Sequence, residues 1–216
     1  MRTDDRRVAL VTGAAGVVAK AIVERLQAKG FLVGGLDSEG AVGDLALAVD
    51  LTDRGQTIAG ADRVTSELGP ISVLVTAPHL HDAAPFGEMD ADRWTRLIRT
   101  HLGGTTNACA AVVPAMVREG RGTVIALSSW LAFAGVAGEA YQAAATGSIL
   151  AFIKSFALEV AREGVRVNCI AVGPLDATPQ DASVLPSEIA DTVVFLVNDG
   201  DHFVGQVLQA AAGAVV

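Results

Sequence analysis

Short continuous apolar runs alternate with stretches in which apolar residues recur every three or four positions, and this alternation carries through most of the chain. Residues 8–12 form the first apolar run and end at Gly13. Val18, Ile22 and Leu26 then fall at helical spacing, and Gly30 closes that helix. Residues 31–36 and 45–49 predict the next two strands, ending at Asp37 and Asp50. A helix is predicted over about 52–68, stopped by Gly69 and Pro70, and a fourth strand over 71–77. After a loop with two histidines, one long helix is predicted over about 90–118, then a fifth strand over 123–127. A second long helix over about 140–162 leads into a sixth strand over 165–171. Pro186, Ser187 and Glu188 open a last helix, and residues 204–210 predict a seventh strand.

Strands that are apolar throughout are buried on both faces, and each is followed by a helix. That pattern predicts an α/β fold: a Rossmann-like, doubly wound parallel sheet of about seven strands with helices on both faces. The 216 residues read as a single domain, with no repeat and no linker.

Composition narrows the function classes. Apolar residues make up 51% of the chain and charged residues 19%, as in a globular protein. A net charge of −8 argues against a nucleic-acid surface and against an anionic membrane surface. No signal peptide and no membrane span are expected, which predicts a cytoplasmic protein. Cys109 and Cys169 sit in apolar surroundings and read as buried free thiols in a reducing compartment.

Three segments carry a family resemblance. They are Ser128-Ser129-Trp130, Tyr141-Gln142-Ala143-Ala144-Ala145, and the run from Arg166 to Pro174 that contains Val167-Asn168 and Gly173-Pro174. Together they resemble the active-site half of the short-chain dehydrogenase/reductase family. The likeness extends over nearly the whole chain, from Val8 to about Gly213.

The resemblance implies a nucleotide site at the first strand end. Thr12-Gly13-Ala14-Ala15-Gly16-Val17-Val18-Ala19 matches the family's T-G-x-x-x-G-x-G turn, with Gly13 in frame, Gly16 one residue early, and Val17 and Ala19 in the other two glycine positions. A β-branched side chain at Val17 stands where the backbone would approach a pyrophosphate. Asp37 would accept from ribose hydroxyls and favours NAD over NADP, and Asp50-Leu51 matches the adenine-contacting pair. Both aspartates equally suit strand ends or helix caps. The family's N-N-A-G strand end reads Thr76-Ala77-Pro78-His79. NAD is therefore the implied cofactor, opposed by Val17 and by Ala145.

The resemblance also assigns the chemistry. Tyr141 is the expected general acid/base, and Ser129 or Ser128 its hydrogen-bonding companion. Ser129 lies twelve residues before Tyr141, whereas thirteen is common in the family, and Ser128 has the common spacing. The lysine expected four residues after the tyrosine is Ala145, and the asparagine of the fourth helix is His101. Without a nearby cation a tyrosine keeps a pKa near 10 and is a poor base at neutral pH. His101 is the candidate replacement, with a packing histidine as the other reading. His79-Leu80-His81-Asp82 has a spacing seen in metal ligands, but no metal site is assigned.

The segment after Pro174 is short for the family, so a truncated substrate lid is expected. The helices near 90–118 and 140–162 match the pair that forms the family's four-helix interface. Homo- or hetero-oligomers through them are expected. Three readings remain open: a catalytically degenerate subunit assembling with an active paralogue; an NAD-dependent oxidoreductase using a serine, Tyr141 and His101; and a non-redox cyclase, dehydratase or lyase using Tyr141 and the cleft histidines.

Overall fold

The structure is a computed structural model that describes residues 7–175 and 183–211. Seven parallel strands form one sheet: β1 (Val8–Thr12), β2 (Leu32–Asp37), β3 (Leu45–Ala48), β4 (Ile71–Thr76), β5 (Gly122–Ser129), β6 (Val165–Val172) and β7 (Val207–Ala210). Their order is β3-β2-β1-β4-β5-β6-β7. The expected α/β architecture is therefore present, with β1 and β4 flanking the point where the winding reverses.

Six α-helices cover the sheet: α1 (Val17–Ala28), α2 (Arg54–Leu68), α3 (Ala91–Ile98), α4 (Gly104–Glu119), α5 (Ala140–Val160) and α6 (Pro186–Asn198). Helices α2, α4 and α5 share one apolar core with one face of the sheet. Helices α1 and α6 pack together over the other. Central strand residues such as Leu10, Val11, Leu74 and Val75 are fully buried, which is why their runs carry no polar alternation. Cys109 and Cys169 lie inside this packing as free thiols, pushed up to about 12 by burial.

The single helix predicted over 90–118 is two helices. A five-residue π turn, Arg99–Gly103, joins α3 to α4. It keeps the chain helical, so the apolar spacing gave no warning of a break. The last strand is shorter than predicted. Residues ahead of it are held instead by the wholly buried Asn168, which donates to the Phe203 carbonyl at 2.7 Å and accepts from the Gln206 N–H at 3.0 Å. Most of the predicted lid segment lies outside the described residues. Its ends meet, because Leu175 pairs with Val184 as a single parallel bridge and the Val184 N–H donates to the Pro174 carbonyl at 2.9 Å.

Helix α5 has an uneven environment. Ile149, Ile153 and Ala157 are fully buried against the sheet. Yet in the most apolar 18-residue window of the stretch 140–163, with mean hydropathy 1.4, only 39% is buried. By length and composition alone it would suffice to cross a membrane; in this fold it lies along the sheet.

Candidate active-site cleft

The C-terminal ends of β1, β2, β4, β5 and β6 open on one side of the sheet, at the reversal point where such folds hold ligands. Two cavities lie there. One, of about 360 Å³, is lined by Val17, His101, Ser129, Gln142, Thr146 and Val172, among others. The second, of about 580 Å³, is lined by Gly13, Asp37, Asp50, Leu51 and Arg96, among others. Residues 78–81 line both cavities.

The turn after β1 is tight. Gly13 has a positive φ of 70°, and a Cβ there would meet the Ala77 carbonyl oxygen at 2.0 Å, so only glycine fits. Gly16 precedes α1 and donates its N–H to the Gly13 carbonyl at 3.0 Å. Val17 opens the helix and is 61% exposed at the cavity wall. Asp37 is buried, with both carboxylate oxygens engaged: Oδ2 accepts from the Ala15 N–H at 3.0 Å and Oδ1 from the Ser38 N–H at 2.7 Å. Asp50 accepts from the Thr52 N–H and hydroxyl at 2.9 and 2.8 Å, which closes the turn into α2. The Leu51 carbonyl accepts from Asn107 at 2.9 Å.

The segment 78–82 is held from several sides. His79 Nδ1 lies 3.8 Å from Asp37 Oδ2, and His81 Nε2 lies 3.1 Å from a Glu139 oxygen. The Leu80 carbonyl accepts from His101 Nε2 at 2.8 Å and from Gln142 Nε2 at 3.2 Å. Asp82 accepts from Arg93 and from Arg96, and the Arg93 guanidinium holds its carboxyl below the usual carboxylate range. The two histidines of the loop thus turn to different carboxylates. Among the described residues no group of three His, Cys, Asp or Glu side chains is placed to hold a metal ion.

His101 sits in the π turn and is 3% exposed. Its Nε2 must carry the proton it donates to Leu80, which leaves Nδ1 bare, buried and without a partner. Burial pushes its pKa down, the Leu80 carbonyl opposes this, and His79 and His81 add to it. Ser128 donates to the Thr146 carbonyl at 2.8 Å, while Ser129 accepts from the Leu131 N–H at 3.2 Å and keeps its own proton free at the cavity wall.

Tyr141 lines neither cavity. Its ring stacks on Phe86, with centroids 5.5 Å apart, and leans on Trp94. Its hydroxyl donates to the Phe86 carbonyl at 3.4 Å. The next residue, Gln142, faces the cleft in its place.

The family model described as short chain dehydrogenase matches residues 7–188. The chain belongs to the short-chain dehydrogenase family. One curated relative, 3-oxoacyl-(acyl-carrier-protein) reductase FabG of Chlamydia trachomatis, is 30% identical over 183 residues, covering 76% of this chain and 74% of its own length. The protein of the same name from Escherichia coli is 28% identical, with 96% of both chains covered. Among solved structures, Thermoplasma acidophilum aldohexose dehydrogenase superposes with a TM-score of 0.89 at 23% identity, covering 96% of this chain and 93% of that one. That last likeness is one of fold.

The cavity-lining residues admit a second register for the site. The thirteen-residue spacing common in short-chain dehydrogenases, counted from Ser129, lands on Gln142, and four residues further on Thr146. Both line the cavity with Ser129 and His101. Tyr141, expected as the acid/base, lies outside both cavities: consecutive residues of a helix point about 100° apart, and it is Gln142 that faces the cleft. Ala145, expected at the lysine position, is fully buried in the packing. The spacing alone does not choose between Tyr141 and Gln142, since thirteen residues lead from Ser128 to Tyr141 and from Ser129 to Gln142.

Proposed function

We propose that this chain is a catalytically degenerate short-chain dehydrogenase that serves as a stabilising subunit, assembling through α4 and α5 with an intact family member. The observation that carries the reading is Gln142 in the phenol position with Thr146 in the ammonium position. Hydride transfer between an alcohol and a carbonyl needs a group that gives or takes the oxygen's proton. An amide does neither near neutral pH, and a threonine hydroxyl brings no charge to assist. Thr146 also spends its hydroxyl on the Gln142 carbonyl, at 2.9 Å. His101, neutral and buried, has its one proton on Leu80.

Two catalytic alternatives, hydride transfer with Tyr141 and His101 or non-redox chemistry with Tyr141 and the histidines, both need the Tyr141 hydroxyl in the cleft. It is engaged at Phe86 instead.

The outer faces of α4 and α5 support the assembly half of the reading. They frame an apolar groove of about 600 Å³ that includes Cys109, Val113, Val117, Phe152 and Phe156. Phe152 and Phe156 stack at 5.2 Å and are only partly buried. A groove of this character on a helix pair suits a second helix pair of the same kind. An intact relative supplies that pair.

The test is co-expression with each intact short-chain dehydrogenase encoded in the same genome, followed by light-scattering mass measurement and thermal melting. A mixed dimer or tetramer with one of them, melting above that partner alone, is the expected result. A chain that stays apart from all of them, or that alone turns over a carbonyl substrate with NADH or NADPH, overturns the reading.

A further inference from the structure

We infer that residues 78–81 are a built partition across the nucleotide groove, with the His79 imidazole seated where a dinucleotide's pyrophosphate would lie, so that this chain excludes dinucleotides. The inference does not depend on which partner the chain assembles with.

The first argument is the position of His79. In nucleotide-binding sheets of this type the phosphates lie on the glycine turn after β1, against the start of α1. Here His79 packs on that turn. A Cβ on Gly16 would sit 3.1 Å from His79 Cγ, and one on Gly13 would sit 3.5 Å from His79 Nδ1. The imidazole thus lies over the two glycines, and a phosphate settling on that turn would have to displace it.

The second argument is that the partition is anchored. The Leu80 carbonyl is gripped by His101 and Gln142, His81 reaches Glu139, and the Asp82 N–H donates to Gln142 Oε1 at 3.4 Å. Asp82 is in turn fixed to α3 by two arginines. Gln142 and His101 occupy positions that face the reacting atoms in intact relatives. In this chain they act as positioning residues for the partition.

The third argument is charge. The 360 Å³ cavity behind the partition is lined, among the described residues, by no lysine, arginine, aspartate or glutamate. A pyrophosphate entering it would meet no cation. The side chain best placed to bar the way, Val17, is apolar and exposed. What the cavity suits is a compact uncharged molecule able to accept from the free Ser129 hydroxyl.

The test is calorimetric titration of the purified full chain with NADH, and separately with adenosine, for the wild type, His79→Gly, and Val17→Gly with His79→Gly. Expected are no saturable NADH binding by the wild type at millimolar concentration and a Kd on the order of 100 μM or tighter in the double variant, at least a tenfold gain. The single variant falls between them. Adenosine, which lacks the pyrophosphate, is expected to bind equally to all three. Micromolar NADH binding by the wild type overturns the inference. So does a double variant that melts like the wild type and still fails to bind, or an adenosine affinity that rises as much as that for NADH. His79→Ser takes the place of the glycine variant if the latter does not fold. Failure of the assembly experiment leaves these outcomes untouched.

Discussion

Gln142 and His101, which lie 41 positions apart, donate to the same oxygen, the Leu80 carbonyl, from 3.2 and 2.8 Å. The convergence ties α5 and the π turn to the loop after β4. Removing one donor leaves the other in place but orphans the Asp82 N–H as well. Gln142→Ala is therefore expected to cost about 1–2 kcal/mol, read as a lower urea midpoint with an unchanged slope. Amide exchange should quicken first around residues 79–82.

Tyr141→Phe is expected to be almost silent. The lost hydrogen bond is long and partly exposed, so stability should change by no more than about 0.5 kcal/mol. Tyr141→Ala removes the stack on Phe86 and Trp94 and should cost about 1–2 kcal/mol. Urea unfolding of the two variants separates them. A large loss of any cellular function in Tyr141→Phe with unchanged stability would reinstate the hydroxyl as a working group.

Ala145→Lys should not restore chemistry. Ala145 is fully enclosed, and a lysine there adds both bulk and an unpaired charge to the core. A destabilisation of about 3 kcal/mol or more is expected, visible as failure to express or a sharply lower melting temperature. Thr146→Lys points into the 360 Å³ cavity instead and should be tolerated better. The order of the two melting temperatures checks the register directly.

Stability should fall as pH drops below about 6.5. Burial lowers the His101 pKa in the folded chain, so the unfolded chain takes up a proton there first. Above the unfolded value both states are neutral at this residue and nothing changes. Below it the unfolded state binds more protons, and stability is lost until the folded value is passed, with a slope of up to about 1.4 kcal/mol per pH unit. His101→Gln, whose amide nitrogen reaches the position of Nε2 and can still donate to Leu80, should flatten the profile between pH 7.5 and 5. Urea midpoints at a series of pH values decide it.

Ala110→Arg tests the helix face. Ala110 is partly exposed in the α4–α5 groove, and a long cation there fills the groove without opening a cavity beneath it. Association with an intact relative should weaken by at least tenfold, about 1.4 kcal/mol, while the melting temperature of the isolated chain stays within a few degrees. Unchanged association would move the interface elsewhere.

The fold was legible because its strands are covered on both faces. Continuous apolar runs such as residues 8–11 admit few other placements. The π turn at Arg99–Gly103 was not, because it keeps the backbone helical and slips the hydrophobic spacing by only about one residue. At the cleft the turn glycines, the strand-end aspartates and Ser129 line the two cavities. Their present partners could not be read from the sequence: Asp37 is tied to Ala15 and Ser38, and Asp50 to Thr52. Which of two neighbouring residues faces the cleft was not legible: the thirteen-residue count reaches Tyr141 from Ser128 and Gln142 from Ser129, and in the fold it is Gln142 that lines the cavity. The anchoring of Leu80 was invisible, since a backbone carbonyl leaves no mark in a sequence.

The contact between Gly16 and His79 also couples two positions far apart in the chain. A side chain at position 16 would meet the imidazole at about 3.1 Å, so one of the two would have to give by a few tenths of an ångström. A residue larger than glycine at 16 is therefore easiest to accept when 79 is small, and the two positions constrain one another although neither is near the other in sequence.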